Sequence, residues 1–175
     1  MPVGRPDVQT VIARASMAMA DGSIAVFDTK YFYNRWRPVT AIWYADLDDN
    51  HRTDPDPTWL PLIATPPFPS YSSAHATVSG AARRVLERAF GKHGLAITLT
   101  NPQLGLVLNY TSWKHITDDI DDARVYGGIH FRFDQEVAAH QGRKVGKYIL
   151  RNYLRSGHDG DDGDDGDDGD DGDDD

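Results

Sequence analysis

Three short segments hold side chains suited to gripping an anion and moving protons: KYFYNRWRP from Lys30 to Pro38, SYSSAHA from Ser70 to Ala76, and ARVYGGIHFRFD from Ala123 to Asp134. Among their residues are three cations placed to act together, Lys30, Arg37 and Arg124, with a hydroxyl at a helix start and two histidines. Lys30 and Arg37 are seven residues apart, so on one continuous helix they would share a face ~10 Å apart and grip opposite sides of one anion. Arg37 can fork two oxygens, whereas Lys30 acts as a point charge. Ser73 and the amides after it lie where a helix is expected to begin, and unpaired donors at a helix N-terminus favour an oxyanion. His75 falls in the same turn. His130 and Asp134 have the four-residue spacing at which a carboxylate can hold an imidazole N–H and fix its tautomer, leaving the other nitrogen as nucleophile or ligand. Arg124 precedes His130 by six residues, and Gly127 and Gly128 let the chain bend between them. Taken singly, each pairing is ordinary helix surface or a helix cap; their joint presence in this order is what points to a site.

These groups need a scaffold, and hydrophobic periodicity supplies one. Val8, Val11, Ile12, Ala15 and Met19 recur as one helix face, with Asp7 at the cap, and the helix is expected to continue past a soft point at Asp21-Gly22 until Pro38 stops it near Arg37. From Trp43 to Ser73 the six prolines at 55, 57, 61, 66, 67 and 69 predict a long ordered loop. A second helix is predicted from Ser73, with Val78, Ala81, Ala82, Val85, Leu86 and Ala89 on one face and Gly91 as its stop. Leu95 to Thr100 reads as a short strand. A third helix is expected over Ser112 to Gly127, and a fourth over Phe133 to Leu154, where Ala138, Gly142 and Gly146 make a stripe that lets another helix come close. The fold class is all-α: a single bundle of about four main helices, mostly antiparallel, with a long Pro-rich loop and negligible sheet.

The chain has 175 residues, of which 1–157 have mixed composition and suit one folded domain. Residues 158–175 are an Asp/Gly repeat, too polar and charged to fold and read as a disordered acidic tail without assigned function. The net charge of −9 belongs to that tail, which holds 12 of the 27 acidic residues; the remainder has 18 basic against 15 acidic residues and so has cations to offer an anionic ligand. No basic stripe interleaved with aromatics indicates nucleic acid. Cysteine is absent, which excludes disulfides, thiolate metal sites and a cysteine nucleophile. The start, MPVGRPDVQT, lacks a charged region followed by an apolar core, and no uninterrupted apolar run of ~18 residues stands out. A soluble protein without signal peptide or membrane span is expected, cytoplasmic by default.

The order of the three segments resembles the signature of the vanadium-dependent haloperoxidase and type 2 phosphatidic acid phosphatase superfamily: a Lys seven before Arg-Pro, then Pro-Ser-Gly-His, then Arg-x5-His-x3-Asp. Lys30 with Arg37-Pro38 matches fully, as do Arg124, His130 and Asp134. The middle motif keeps Ser73 and His75 but has Ser72 for Pro and Ala74 for Gly, whose methyl group alters the backbone approach to a ligand. YNRWRP with Trp36 and GGIHFRFD look more like the haloperoxidase branch.

The resemblance, over roughly residues 10 to 150, implies a fold like one half of a vanadium haloperoxidase, the C-terminal helical bundle. It implies vanadate as cofactor, bonded axially to His130, with Lys30, Arg37, Ser73, the Ala74 N–H and Arg124 on its other oxygens; phosphate could occupy the same place. Asp134 would orient His130, Lys30 would polarise bound peroxide, and His75 would be the acid-base partner. The partners implied are hydrogen peroxide and halide. The same residues allow an acid phosphatase that takes a phosphate monoester through a phosphohistidine at His130, or a non-catalytic oxyanion-binding module. An absent second bundle would leave an apolar face uncovered, so the chain is expected to self-associate into a homo-oligomer or to behave as a fragment.

Overall fold

The computed structural model describes residues 7–154; the Asp/Gly tail lies outside the described residues. Helix α1 runs Val8–Tyr33, capped by Asp7, whose carboxylate accepts from the amides of Gln9 and Thr10. Its inward face is Val11, Ala18, Gly22, Val26 and Lys30, one stripe at helical spacing. The helix passes the Asp21-Gly22 point without a break, with Gly22 buried against Ala81 and Thr77. It ends earlier than expected. Asn34 adopts the left-handed conformation, φ 46°, and its N–H caps the carbonyl of Lys30. Pro38 does not stop α1 but opens a new helix, α2 (Pro38–Trp43), at the first-turn position where proline costs no hydrogen bond.

A single 3-10 turn, Ala45–Leu47, follows, and then the proline-rich loop. That loop is tied down along its length: Trp43 Nε1 donates to Trp59 O at 2.7 Å, Ile63 N to Gly127 O at 3.3 Å, and Ser70 N to Arg35 O at 3.0 Å. Gly128, at φ +74°, lies under Trp59 and Pro61, where a side chain would be strained by the backbone and press tightly on the loop. Helix α3 (Ala74–Phe90) starts at the Ser73 cap and stops at Gly91 as the sequence predicts. The predicted lone strand is instead one arm of a hairpin, β1 (His93–Asn101) paired antiparallel with β2 (Leu106–Ser112). Asn101 Oδ1 accepts from the amides of Gln103 and Leu104 in the turn, and Gly105 supplies its positive φ of 64°. Helices α4 (Trp113–Tyr126) and α5 (Arg132–Asn152) complete the chain.

The core joins Val11 and Ala18 of α1, Ala81 and Val85 of α3, and Ile149 of α5. Helices α3 and α5 touch backbone to backbone along the stripe of small residues: a side chain at Gly142 would run into the Thr77 carbonyl, and one at Gly146 into the Ala81 carbonyl. Their contacts advance together, from Ser73 with Asp134 to Arg84 with Gly146, so these two helices run in the same direction. Helix α1 opposes both, with Arg14 near Tyr153 and Thr29 near Gln141. The expected antiparallel packing therefore holds for α1 and not for the α3–α5 pair. Gln141 locks the three helices, donating to Ala25 O and Thr29 Oγ1 while accepting from Ser72 and Thr77.

Tyr31, Phe32, Tyr33 and Trp36, at and after the end of α1, are exposed. By length and composition alone the Val8–Trp43 stretch is apolar enough to cross a membrane, a test that a core helix also passes, and α1 here packs against α3 and α5.

Candidate active site

The three segments meet where the end of α1, the start of α3 and the α4–α5 junction come together. Lys30, fully buried on the last turn of α1, donates to the carbonyls of Pro69 (2.9 Å) and Ser70 (2.8 Å). Arg37 does not share its helix face. It lies beyond the Asn34 bend, in extended backbone at the cap of α2, and reaches the same place by that turn. Its Nε donates to Phe68 O at 2.9 Å and its Nη1 to Ile129 O at 2.7 Å. The ring of Phe68 lies 5.3 Å from Lys30 Nζ and 5.1 Å from the Arg37 guanidinium, a cation–π contact with both.

His130 stands just before α5, in the residue preceding the cap, and Asp134 sits in the first turn. Their bond, Nδ1 to Oδ2 at 2.8 Å, is almost sealed from solvent. Asp134 Oδ2 also accepts from the Ser70 hydroxyl at 2.5 Å and the Phe131 amide at 3.2 Å. On the other side of the ring, Nε2 is 2.9 Å from Arg37 Nη1. Guanidinium nitrogens only donate, so Nε2 is the acceptor and the ring proton is on Nδ1, facing Asp134. Burial, partly opposed by Asp134, pushes the His130 imidazole down to about 4. The ring is neutral near pH 7, with a lone pair on Nε2.

Ser73, also buried, caps α3 through its Oγ and sends its own amide to Asp134 O at 3.1 Å, so the two helix starts that frame the site are bonded to each other. Ala74 and His75 form the first turn of α3. His75 is solvent-accessible. Desolvation, then repulsion from Arg124, Lys30 and Arg37, holds its imidazole below the usual range. Arg124 comes from the last turn of α4, and burial lowers its pKa. Lys30 is pushed down to about 7, first by burial and then by Arg37. All eight residues singled out in the sequence are thus in or beside one cluster.

The sequence reading does not place Ser70, which fixes Asp134, or Phe68, whose ring lies against Lys30 and Arg37, in the site. The carbonyls of Phe68, Pro69, Ser70 and Ile129 that hold Lys30 and Arg37 carry no side-chain signal. The run of prolines was the one hint, since a proline-rich loop presents carbonyls without competing amides.

Two buried donors in the cluster, Arg37 Nη2 and Arg124 Nε, have no hydrogen-bond partner among the described residues. Buried unpaired donors are costly. Three cations, two of them with spare donors, beside a neutral histidine whose carboxylate is already engaged, fit a small oxyanion such as vanadate or phosphate. A ligand bonding to Nε2 must first displace the Arg37 N–H from it, and that N–H is then free for an oxygen of the ligand.

A stretch of 98 residues is 31% identical to vanadium chloroperoxidase of Curvularia inaequalis, covering 50% of this chain and 15% of that protein. The crystal structure of a bacterial vanadium-dependent iodoperoxidase superposes with a TM-score of 0.68 at 38% identity, covering 81% of this chain and 33% of that one. A bacterial vanadium-dependent chloroperoxidase in its apo form gives 0.65 over 79% of this chain and 36% of its own, and at 20% identity shows the shared fold alone. The chain spans about a third of the solved chains it resembles. Residues 10–157 match the model of the VCPO second helical-bundle domain, and the chain belongs to that family of haloperoxidase-like helical domains.

Proposed function

We propose that this domain carries the site of a soluble vanadate-dependent haloperoxidase, in which hydrogen peroxide, halide and a proton yield hypohalous acid and water. The observation that carries the reading is the neutral His130, with its Nε2 lone pair turned to Arg37 and its Nδ1 proton held by Asp134, beside Lys30 and two arginines, Arg37 and Arg124, that each keep an unpaired donor. His130 would hold vanadate through Nε2, with Lys30, Arg37, Arg124 and Ser73 on its oxygens. Bound there, vanadate supplies a Lewis acid that activates peroxide towards halide.

The residues do the rest. Asp134, itself pinned by Ser70 and the Phe131 amide, keeps the ring proton on Nδ1 and raises the basicity of Nε2. Lys30 titrates at about 7 while the site lacks an anion; an oxyanion beside it favours the charged form, so binding recruits the positive charge that polarises oxygen. His75, exposed and neutral, takes a proton from incoming peroxide at a ring nitrogen and returns it to the departing oxygen. Phe68 shields Lys30 and Arg37 from water, which strengthens their pull on an anion.

The test is bromination of a phenol-type indicator by peroxide and bromide after vanadate loading, run beside hydrolysis of an aryl phosphate without vanadate. The proposal expects bromination that needs vanadate and vanishes in His130→Ala. Phosphate release alone, lost in the same variant, would replace it with the phosphohistidine reading; silence in both assays would leave a non-catalytic module.

A further inference from the structure

A fourth cation joins the same three segments from outside the cluster. Arg35 is exposed and lies between the Asn34 bend and Arg37. Its guanidinium carbon stands 5.6 Å from the centre of the Tyr71 ring and 5.7 Å from that of Phe133, within the ~6 Å at which an aromatic face attracts a cation. The two rings are 6.1 Å apart, so one planar guanidinium bridges both. Arg35 belongs to the first segment, Tyr71 to the second and Phe133 to the third. The backbone of Arg35 takes part as well, its carbonyl accepting from the Ser70 amide at 3.0 Å.

These contacts lead inward to Asp134. Its Oδ2 accepts from the His130 ring, the Ser70 hydroxyl and the Phe131 amide. Two of those three donors stand on residues that Arg35 holds from outside. Ser70 is bonded to the Arg35 carbonyl and is followed by Tyr71, under the guanidinium. Phe131 stacks on Phe133, with ring centres 5.3 Å apart and planes 9° from parallel. A group that grips both Tyr71 and Phe133 therefore fixes the loop against the start of α5 at the point where Ser70 meets Asp134.

We propose that Arg35 is a positioning residue for the oxyanion site: clamped between Tyr71 and Phe133, it sets Ser70 against Asp134 and so keeps the His130 proton on Nδ1 and its Nε2 ready for the ligand. This rests on the reading of His130 as the anchor of an oxyanion. A cation that only drew anions in from solvent would act by charge, and lysine would serve as well. A clamp needs the planar group that covers two rings at once.

The experiment uses the full chain, with tungstate as the oxyanion read by calorimetry. In the anion-free protein, NMR follows exchange of the His130 Nδ1 proton with water, the signal being assigned by its loss in His130→Gln. Arg35→Met removes the cation and keeps an apolar stem. It should weaken tungstate binding about fivefold, the ratio that two exposed cation–π contacts give, and speed Nδ1 proton exchange by a similar factor. Arg35→Lys, a point charge that covers one ring, should recover only part of both. The loss should persist at about 0.5 M salt, where charges are screened beyond roughly 4 Å. Phe133→Leu should lose a similar factor, and the double variant less than the product of the two, because both changes open the same clamp. Full recovery by lysine, a loss that salt abolishes, losses that multiply, or a lower Tm in Arg35→Met with Nδ1 exchange unmoved overturns the proposal. Absence of tungstate binding in the wild type instead overturns the oxyanion reading, and the Nδ1 exchange then decides the clamp by itself.

Discussion

Ser70→Ala tests whether the site is assembled as described. The Ser70 hydroxyl and Asp134 are both fully buried, and their 2.5 Å contact is a hydroxyl donating to a carboxylate. Such charge-assisted bonds contribute about 1.5–3 kcal/mol where water cannot replace them. Alanine leaves Oδ2 with the His130 and Phe131 N–H groups, so the carboxylate is not orphaned and the loss should lie near ~2 kcal/mol. For a domain of this size that lowers Tm by about 4–8 °C in a thermal unfolding scan. Thr58→Ala is the control. It removes a bond of similar length, 2.6 Å to Asp56, on the exposed loop, and should move Tm by less than about 1 °C because solvent screens it. If Ser70→Ala shifts Tm no more than the control does, the hydroxyl is not holding Asp134, and the account of how His130 keeps its tautomer is wrong.

Gly142→Ala should cost ~3 kcal/mol in urea unfolding, because the new methyl meets the Thr77 carbonyl and the Ala81 amide of a helix that cannot retreat. Gly22→Ala, whose methyl would find only contacts of 3.6 Å or more, should stabilise by about 0.5–1 kcal/mol. The buried imidazole of His130 titrates at about 4 when folded and near 6.5 when unfolded, so the unfolded chain binds more protons between those values. Stability must fall as pH drops from 6.5 towards 4, and the wild type should lose roughly 2 kcal/mol more than His130→Gln between pH 6.5 and 4.5. Lys30, held at about 7, has the converse signature in ligand binding. Affinity for tungstate, whose charge is constant from about pH 6 to 9, should decline as pH rises above 7 in the wild type and be at least tenfold weaker at pH 6 in Lys30→Met, by isothermal calorimetry.

The helices were legible where local rules act alone. Asp7, Ser73 and Gly91 mark the ends the structure gives them, and the stripe Ala138, Gly142, Gly146 proved to be the seam with α3. The α1 terminus was misplaced because two signals competed. Pro38 can end one helix or begin another, and Asn34 settles the matter by taking the left-handed cap four residues earlier. That error also gave Lys30 and Arg37 a common helix face they do not have, although the bend brings them to the same place. The second hairpin strand went unread because Leu106 and Val107 expose their side chains instead of alternating burial. The titratable members of the site were legible as residue types; Ser70 and the carbonyls around Lys30 and Arg37 were not, since their roles come from tertiary placement alone.

The central claim is that His130 offers a neutral Nε2 to an oxyanion held by three cations. It is tested most directly by vanadate binding followed by vanadium-51 NMR, with His130→Ala and His130→Gln alongside the wild type. The account predicts a bound signal in the wild type, distinct from free vanadate and displaced by phosphate, and its loss or a change to a four-coordinate shift in both variants. A bound signal unchanged by removal of the imidazole would contradict it.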